Sequence, residues 1–109
     1  MGDIVIAVYR PKPGREADLA DEVRAHVPSL RKWGFATDLP VTAMRAIDGT
    51  ILEVFEWCHG AIDTAHKDQR VLEMWGRFGE VCDSISLRDL PETAGLFATF
   101  APLDPAPGG

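Results

Sequence analysis

The chain has 109 residues, of which 46% are hydrophobic and 26% are charged, and its formal net charge is −6. This length is sufficient for one domain with a hydrophobic core, and the composition is that of an ordinary globular protein. The acidic balance argues against nucleic-acid or anionic-membrane partners, because phosphates select for clusters of Lys and Arg. No apolar run is long enough for a signal peptide or a membrane span, so we expect a cytoplasmic protein.

The first half of the chain predicts a strand followed by a helix. Residues 4–9 are apolar at every position, which is typical of a strand covered on both faces. Residues 10–14 contain two prolines and a glycine that end this strand. Residues 15–33 carry apolar side chains at helical spacing, and Pro28 predicts a kink because it cannot donate to the carbonyl group of Arg24.

Two strands at residues 41–47 and 50–57 are separated by Asp48-Gly49, which predicts a hairpin with a two-residue turn. This turn fixes a register in which Arg45 pairs with Leu52. Gly60 ends the second strand, and a short helix is expected to follow at residues 61–67.

Asp68 is the predicted N-cap of a longer helix that ends near residue 82. Residues 84–88 predict a strand, and residues 96–101 predict another short strand or an extended edge. We therefore expect one domain over residues 1–101 and a flexible tail over residues 102–109, which contain three prolines and two glycines.

The β-α-β-β-α-β order predicts an α+β fold of the ferredoxin-like type, with an antiparallel sheet. In that arrangement the helices cover only one face of the sheet. The predicted strands nevertheless carry apolar side chains on both faces, and an uncovered apolar face is unstable in water. We expect a second copy of the chain to cover it, which gives a homodimer that associates through its sheet faces.

Two histidines are candidates for a pocket. His66 is predicted to lie on the same side of its helix as Ile62 and Gln69, where it would serve as a general base or a ligand. The alternative is a histidine that bridges core and rim through one hydrogen bond. His26 lies on the apolar stripe of the first helix, either as a second pocket residue or as a partly buried structural one.

Glu53 and Glu56 lie within an apolar strand and point to opposite faces of the sheet. A carboxylate in such a position is costly to bury unless it is paired or protonated. Either glutamate is therefore a candidate acid or base. Alternatively, each pairs with an arginine such as Arg45 or faces water.

Aromatic residues supply the candidate ligand-binding walls, namely Tyr9, Trp57 and Trp75, with the hydroxyl of Tyr9 as a polar contact. The other interpretation is that these rings only fill the core. Cys58 and His59 lie close together, but they lack the spacing that presents metal ligands as a set. We expect no metal site and no cofactor.

The strand end Val54-Phe55-Glu56-Trp57, the following Ala65-His66 and the segment Val71-Leu72-Glu73-Met74-Trp75 carry a resemblance to a known family. With the order of elements, they resemble the dimeric α/β-barrel superfamily over roughly residues 3–88. That superfamily includes antibiotic-biosynthesis-type monooxygenases and haem-degrading monooxygenases. The resemblance implies a pocket between the sheet and its helices, and, in some relatives, oxidation of a phenolic substrate without metal or flavin.

The haem-degrading branch has a tryptophan near a strand end and a histidine on the following helix, and Trp57 and His66 resemble these two. That branch also uses an asparagine of the first strand, and the chain contains none. We expect a homodimer that binds a small aromatic or apolar molecule, with cofactor-independent, monooxygenase-like or proton-transfer chemistry. A non-catalytic ligand- or haem-binding module is the main alternative, and a structural dimer with a filled core is a third. The candidate catalytic residues are His66, Glu53 and Glu56, and the candidate ligand-binding residues are Tyr9, His26, Trp57 and Trp75.

Overall fold

A computed structural model describes residues 2–103, which form an α+β fold with a five-stranded antiparallel sheet. The strands lie in the order β4-β1-β3-β2-β5. No helix within the described residues is both long enough and apolar enough to cross a membrane. The elements are β1 (Gly2–Pro11), α1 (Glu16–Lys32), β2 (Thr42–Arg45), β3 (Ile51–Cys58), α2 (Ala61–Ala65), α3 (Gln69–Val81), β4 (Cys82–Ser84) and β5 (Ala101–Pro102), with 3₁₀ turns at Leu87–Asp89 and Pro91–Ala94.

Both long helices confirm the predictions made from spacing and capping. α1 contains Pro28 and buries its apolar stripe against the sheet. α3 begins directly after Asp68, whose side chain accepts hydrogen bonds from the backbone N–H groups of Arg70 and Val71. This is the interaction expected of an aspartate N-cap, because the first N–H groups of a helix have no partner within it.

The hairpin of β2 and β3 forms, but its predicted register is wrong by one residue. Arg45 pairs with Ile51, whereas the prediction paired it with Leu52. The loop contains residues 47–49 instead of two residues, and its last residue, a glycine at φ 91°, donates to the carbonyl group of Ala46. A type I turn followed by a left-handed glycine is a common three-residue hairpin loop. A slip of one residue moves each side chain of β2 to the other sheet face.

The face of the sheet away from the helices is covered in part by the chain itself. Val8 and Leu52 lie there in a small apolar cluster with Leu90, which follows the first 3₁₀ turn. Ile4 and Ile6 lie on the same face of β1 as Val8, and they are 61% and 51% exposed. These two side chains of β1 therefore remain uncovered in the single chain, and their burial by a second copy stays a prediction.

The segment after α3 differs from the prediction. The chain enters β4 at Cys82, which is already extended with φ −153° and pairs with Pro11 of β1. The strand predicted at residues 84–88 is therefore wrong, since this part of the chain leaves the sheet at Ser84 and forms a 3₁₀ turn. β5 then pairs with β2, and residues 104–109 of the predicted tail lie outside the described residues.

Candidate functional site

A cavity of about 560 Å³ lies between the sheet and the helices. We call it the aromatic cavity, because six aromatic rings line it. This volume is within the range that small organic ligands occupy in proteins. The residues that line it and that matter here are Tyr9, His26, Phe55, Trp57, Trp75 and Phe78.

A fully buried carboxyl group lies beside this cavity. Glu53 is 0% exposed, because it occupies a helix-facing position of β3 between the buried residues Ile51 and Phe55. Its Oε1 atom accepts two hydrogen bonds, one from the Tyr9 hydroxyl at 3.0 Å and one from Nδ1 of His26 at 2.8 Å. Buried carboxyl groups need such partners, since a lost hydrogen bond to water is not otherwise replaced.

Hydrogen-bond partners define the tautomer of His26. The indole Nε1–H of Trp75 lies 3.2 Å from Nε2 of this histidine, and an indole nitrogen can only donate. Nε2 is therefore the acceptor, and the imidazole carries its proton on Nδ1, from which it donates to Glu53. His26 is 3% exposed, so this neutral tautomer is held on both sides inside the fold.

Tyr9 places a hydroxyl group between Glu53 and the aromatic cavity. Burial raises the pKa of Tyr9 well above its usual value, and the charge of Glu53 and their hydrogen bond raise it further. The phenol therefore stays protonated and donates to Glu53. Its oxygen keeps lone-pair capacity to accept a hydrogen bond from a ligand, because a hydroxyl group both donates and accepts.

Aromatic rings surround these polar groups in close contact. Phe55 and Trp57 lie 5.4 Å apart between ring centroids, and Trp57 lies 6.3 Å from Trp75. The ring of Phe78 lies 5.0 Å from those of both Tyr9 and His26. Within residues 2–103, no lysine or arginine lines this cavity. The wall therefore suits an uncharged aromatic or apolar molecule better than an anion.

Cys82 also lines the aromatic cavity, at the start of β4. Burial, together with the carboxylate of Asp83, raises the pKa of the Cys82 thiol to about 11. The thiolate is the reactive form of cysteine, so Cys82 is a weak nucleophile at neutral pH. It contributes an apolar part of the wall.

Four residues predicted to bind a ligand line this cavity together: Tyr9, His26, Trp57 and Trp75. Glu53, predicted as a catalytic carboxylate, bonds to two of them. The alternative interpretation paired Glu53 with Arg45, but the partners observed are Tyr9 and His26.

His66 lies elsewhere than expected. It is exposed, and its Nδ1 lies 2.7 Å from the carbonyl oxygen of Ile62. It reaches the site only indirectly, through an edge contact with the ring of Trp75. The prediction continued one helical face from Ile62 to Gln69, but His66 caps the end of α2, its ring turns back to the Ile62 carbonyl group, and the chain is extended at Asp68 before α3 begins.

Glu56 also lies outside the cavity wall. It is half-buried on the other face of β3 and accepts a hydrogen bond from the hydroxyl of Thr37 at 2.8 Å. Among residues 2–103, no group of three or more His, Cys, Asp or Glu side chains is arranged to hold a metal ion.

Some wall residues were not predicted as part of a site. Phe55 and Phe78 were not among the predicted site residues, although Phe55 shares the helix-facing positions of β3 with Glu53 and Trp57, so strand alternation could have found it. Cys82, Asp83 and Ser84 reach the cavity because β4 pairs with β1, and no local pattern in the sequence indicates this.

Comparison of the chain with models of known families, with curated proteins and with solved structures finds no match.

Proposed function

We propose that this protein binds a small, uncharged aromatic or apolar molecule in the aromatic cavity and removes a proton from it without a cofactor. The single observation that carries this proposal is the pair of hydrogen bonds from Tyr9 and His26 to one oxygen of the buried Glu53. A carboxylate held in this way beside an apolar cavity is a suitable general base.

The proton moves through Tyr9. A hydroxyl group of the ligand donates to the Tyr9 oxygen, and the Tyr9 proton passes to Oε1 of Glu53 as the ligand proton arrives. Tyr9 is unchanged by the step, the ligand becomes an anion, and Glu53 becomes a neutral acid. His26 is a positioning residue, because its Nε2 is occupied by Trp75 and its Nδ1–H orients the carboxylate.

Three wider features belong to the same proposal. The strand order β4-β1-β3-β2 and the β-α-β-β-α-β succession support the ferredoxin-like arrangement. The exposed Ile4 and Ile6 support a homodimer through the sheet face. The resemblance to antibiotic-biosynthesis-type monooxygenases implies that molecular oxygen then oxidises the deprotonated ligand, with one oxygen atom entering the product and the other leaving as water. We expect the enzyme to be cytoplasmic.

Haem does not fit this site well. Both ring nitrogens of His26 are already hydrogen-bonded inside the fold. Cys82 lines the cavity as a protonated thiol, and a haem iron binds the thiolate. His66 is exposed and lies outside the cavity wall. The proposed function therefore does not involve haem.

A non-catalytic ligand-binding module is the second candidate. The observation that favours it is that aromatic rings line the cavity and that both ring nitrogens of His26 are already hydrogen-bonded within the fold. Such a module would hold the same class of ligand and leave its proton in place.

The test uses 2-naphthol as the probe, because it is a small aromatic alcohol whose ionised form has a distinct absorbance. Binding is followed by quenching of tryptophan fluorescence, since Trp57 and Trp75 line the cavity. The proposal expects saturable binding and ionisation of the bound probe at a pH where the free probe is neutral. Binding of the neutral form alone supports the second candidate, and no binding contradicts both. Ala7→Leu, which narrows the aromatic cavity, is expected to weaken binding.

A further inference from the structure

The second oxygen of Glu53 does not share the partners of the first. Oε2 is buried and has no hydrogen-bond partner within the described part of the chain. Leaving a buried carboxyl oxygen without any partner costs free energy, and proteins commonly satisfy such groups with ordered water.

A second cavity, of about 450 Å³, lies on the other side of this glutamate. Glu53 lines it together with residues of α1 and β2, among them Val27, Pro28, Thr42 and Ala43. Val27 is buried, whereas Pro28 and Thr42 are exposed, so the cavity leads from the interior to the solvent. Its volume is large enough for several water molecules, each of which takes about 30 Å³ in the liquid.

Two alanines flank Glu53 in the sheet, and each lines a different cavity. On β3, Glu53 pairs with Ala7 of β1 on one side and with Ala43 of β2 on the other. Ala7 lines the aromatic cavity and Ala43 lines the second cavity. Because both side chains are small, the carboxyl group has open space on each side.

We propose that the second cavity holds water against Oε2 and is the route by which Glu53 exchanges protons with the solvent, separately from the aromatic cavity. This inference depends on the proposed function in one respect only, namely that the proton received by Glu53 comes from the ligand. When Oε1 receives a proton, Glu53 becomes a neutral acid. A half-turn about the Cγ–Cδ bond then directs the O–H group to the second cavity, where a water molecule takes the proton and the carboxylate is restored. A ligand can therefore remain in the aromatic cavity while the base is regenerated.

The test compares two matched substitutions, Ala43→Leu and Ala7→Leu, in the ligand-free protein. The readout is the rate of proton exchange between Glu53 and the solvent, measured after a downward pH jump from the infrared carboxyl band that is absent in Glu53→Gln. Because Ala43 lines the second cavity beside Glu53, Ala43→Leu is expected to slow this exchange about tenfold or more, since exchange then requires local opening of the fold. Ala7→Leu is expected to leave the rate nearly unchanged. Any other pattern overturns the proposed route.

A second measurement covers the case in which Ala43→Leu does not fold. A crystal structure of the unsubstituted protein is expected to show ordered water within hydrogen-bond distance of Oε2, and a dry second cavity overturns the proposal. Neither measurement uses a ligand. If 2-naphthol fails to bind while Ala43→Leu slows exchange, the proposed function is wrong and the route is retained.

Discussion

Trp75 donates its indole hydrogen to Nε2 of His26 across 3.2 Å, and this bond determines which nitrogen of the imidazole carries the proton. Through that tautomer, a ring in the cavity wall is connected to the buried carboxyl group, since His26 donates its Nδ1 proton to Glu53 at 2.8 Å. A change in Trp75 therefore reaches Glu53 without touching it.

Replacing Trp75 with phenylalanine keeps a ring in the wall and removes the donor. We expect Trp75→Phe to leave Nε2 of His26 without its partner and to lower the free energy of unfolding by about 1 kcal/mol. The ¹⁵N chemical shifts of His26 are expected to move, because the tautomer is no longer fixed. Trp33→Phe is the control, since Trp33 packs under Arg70 outside the cavity wall. Unmoved His26 shifts in Trp75→Phe would contradict the assigned tautomer.

The two histidines are expected to respond very differently to removal. His26→Ala deletes a buried ring and one of the two donors to Glu53, so we expect a loss of about 3 kcal/mol in the free energy of unfolding. His66→Ala removes an exposed side chain and is expected to cost about 0.5 kcal/mol or less. Urea denaturation of both variants measures the difference. Equal losses in the free energy of unfolding would contradict the burial of His26 and the exposure of His66.

Tyr9 is the only tyrosine in the chain, so that its ionisation can be observed directly. Its pKa is raised in the folded state from the usual 10.0, mainly by burial. The folded state therefore retains a proton that the unfolded state loses above pH 10.0, and this contribution to stability is present below that pH and lost as the pH rises beyond it. We expect phenolate absorbance to appear only as the protein unfolds.

The matching variant is Tyr9→Phe, which removes the ionisable group. Its free energy of unfolding is expected to fall less steeply than that of the unsubstituted protein above pH 10.0. Phenolate absorbance that develops with an ordinary phenol midpoint, while the circular dichroism of the fold is unchanged, would contradict the burial of Tyr9 against Glu53.

Burial arguments made Glu53 predictable from the sequence. A glutamate flanked by apolar residues in a strand requires a special partner, and the structure supplies Tyr9 and His26. The same reasoning selected Glu56, although its partner is Thr37 on the other face of the strand. Alternation shows that the two glutamates face opposite ways, but it does not show which face meets the helices.

The hairpin register and the position of His66 could not be predicted from local sequence patterns. The hairpin register followed from a third loop residue, Ile47, which precedes Asp48-Gly49 in a loop whose last residue, Gly49, is left-handed. Asp48-Gly49 suits a two-residue turn equally well, so the sequence did not decide between the loops. Likewise, helical periodicity placed His66 on the side of Ile62, but it does not show that the ring lies exposed against the Ile62 carbonyl group.

Dimerisation is testable at the exposed end of the sheet face. Ile4→Asp and Ile6→Asp are expected to convert a dimer to a monomer at micromolar concentration while the fold is retained, because both side chains are already more than half exposed in the single chain. Ile47→Asp is the control, since Ile47 is exposed in the hairpin loop away from this surface. Sedimentation velocity measures the result. A monomeric unsubstituted protein would contradict the homodimer.

The central claim, that Glu53 takes a proton from a ligand in the aromatic cavity, is tested most directly by the absorbance of bound 2-naphthol in Glu53→Gln and Glu56→Gln. Glutamine keeps the shape of each side chain and removes the carboxylate. We expect both variants to bind the probe, with ionised probe in Glu56→Gln and neutral probe in Glu53→Gln. Bound probe that is ionised to the same extent in both variants would contradict the claim.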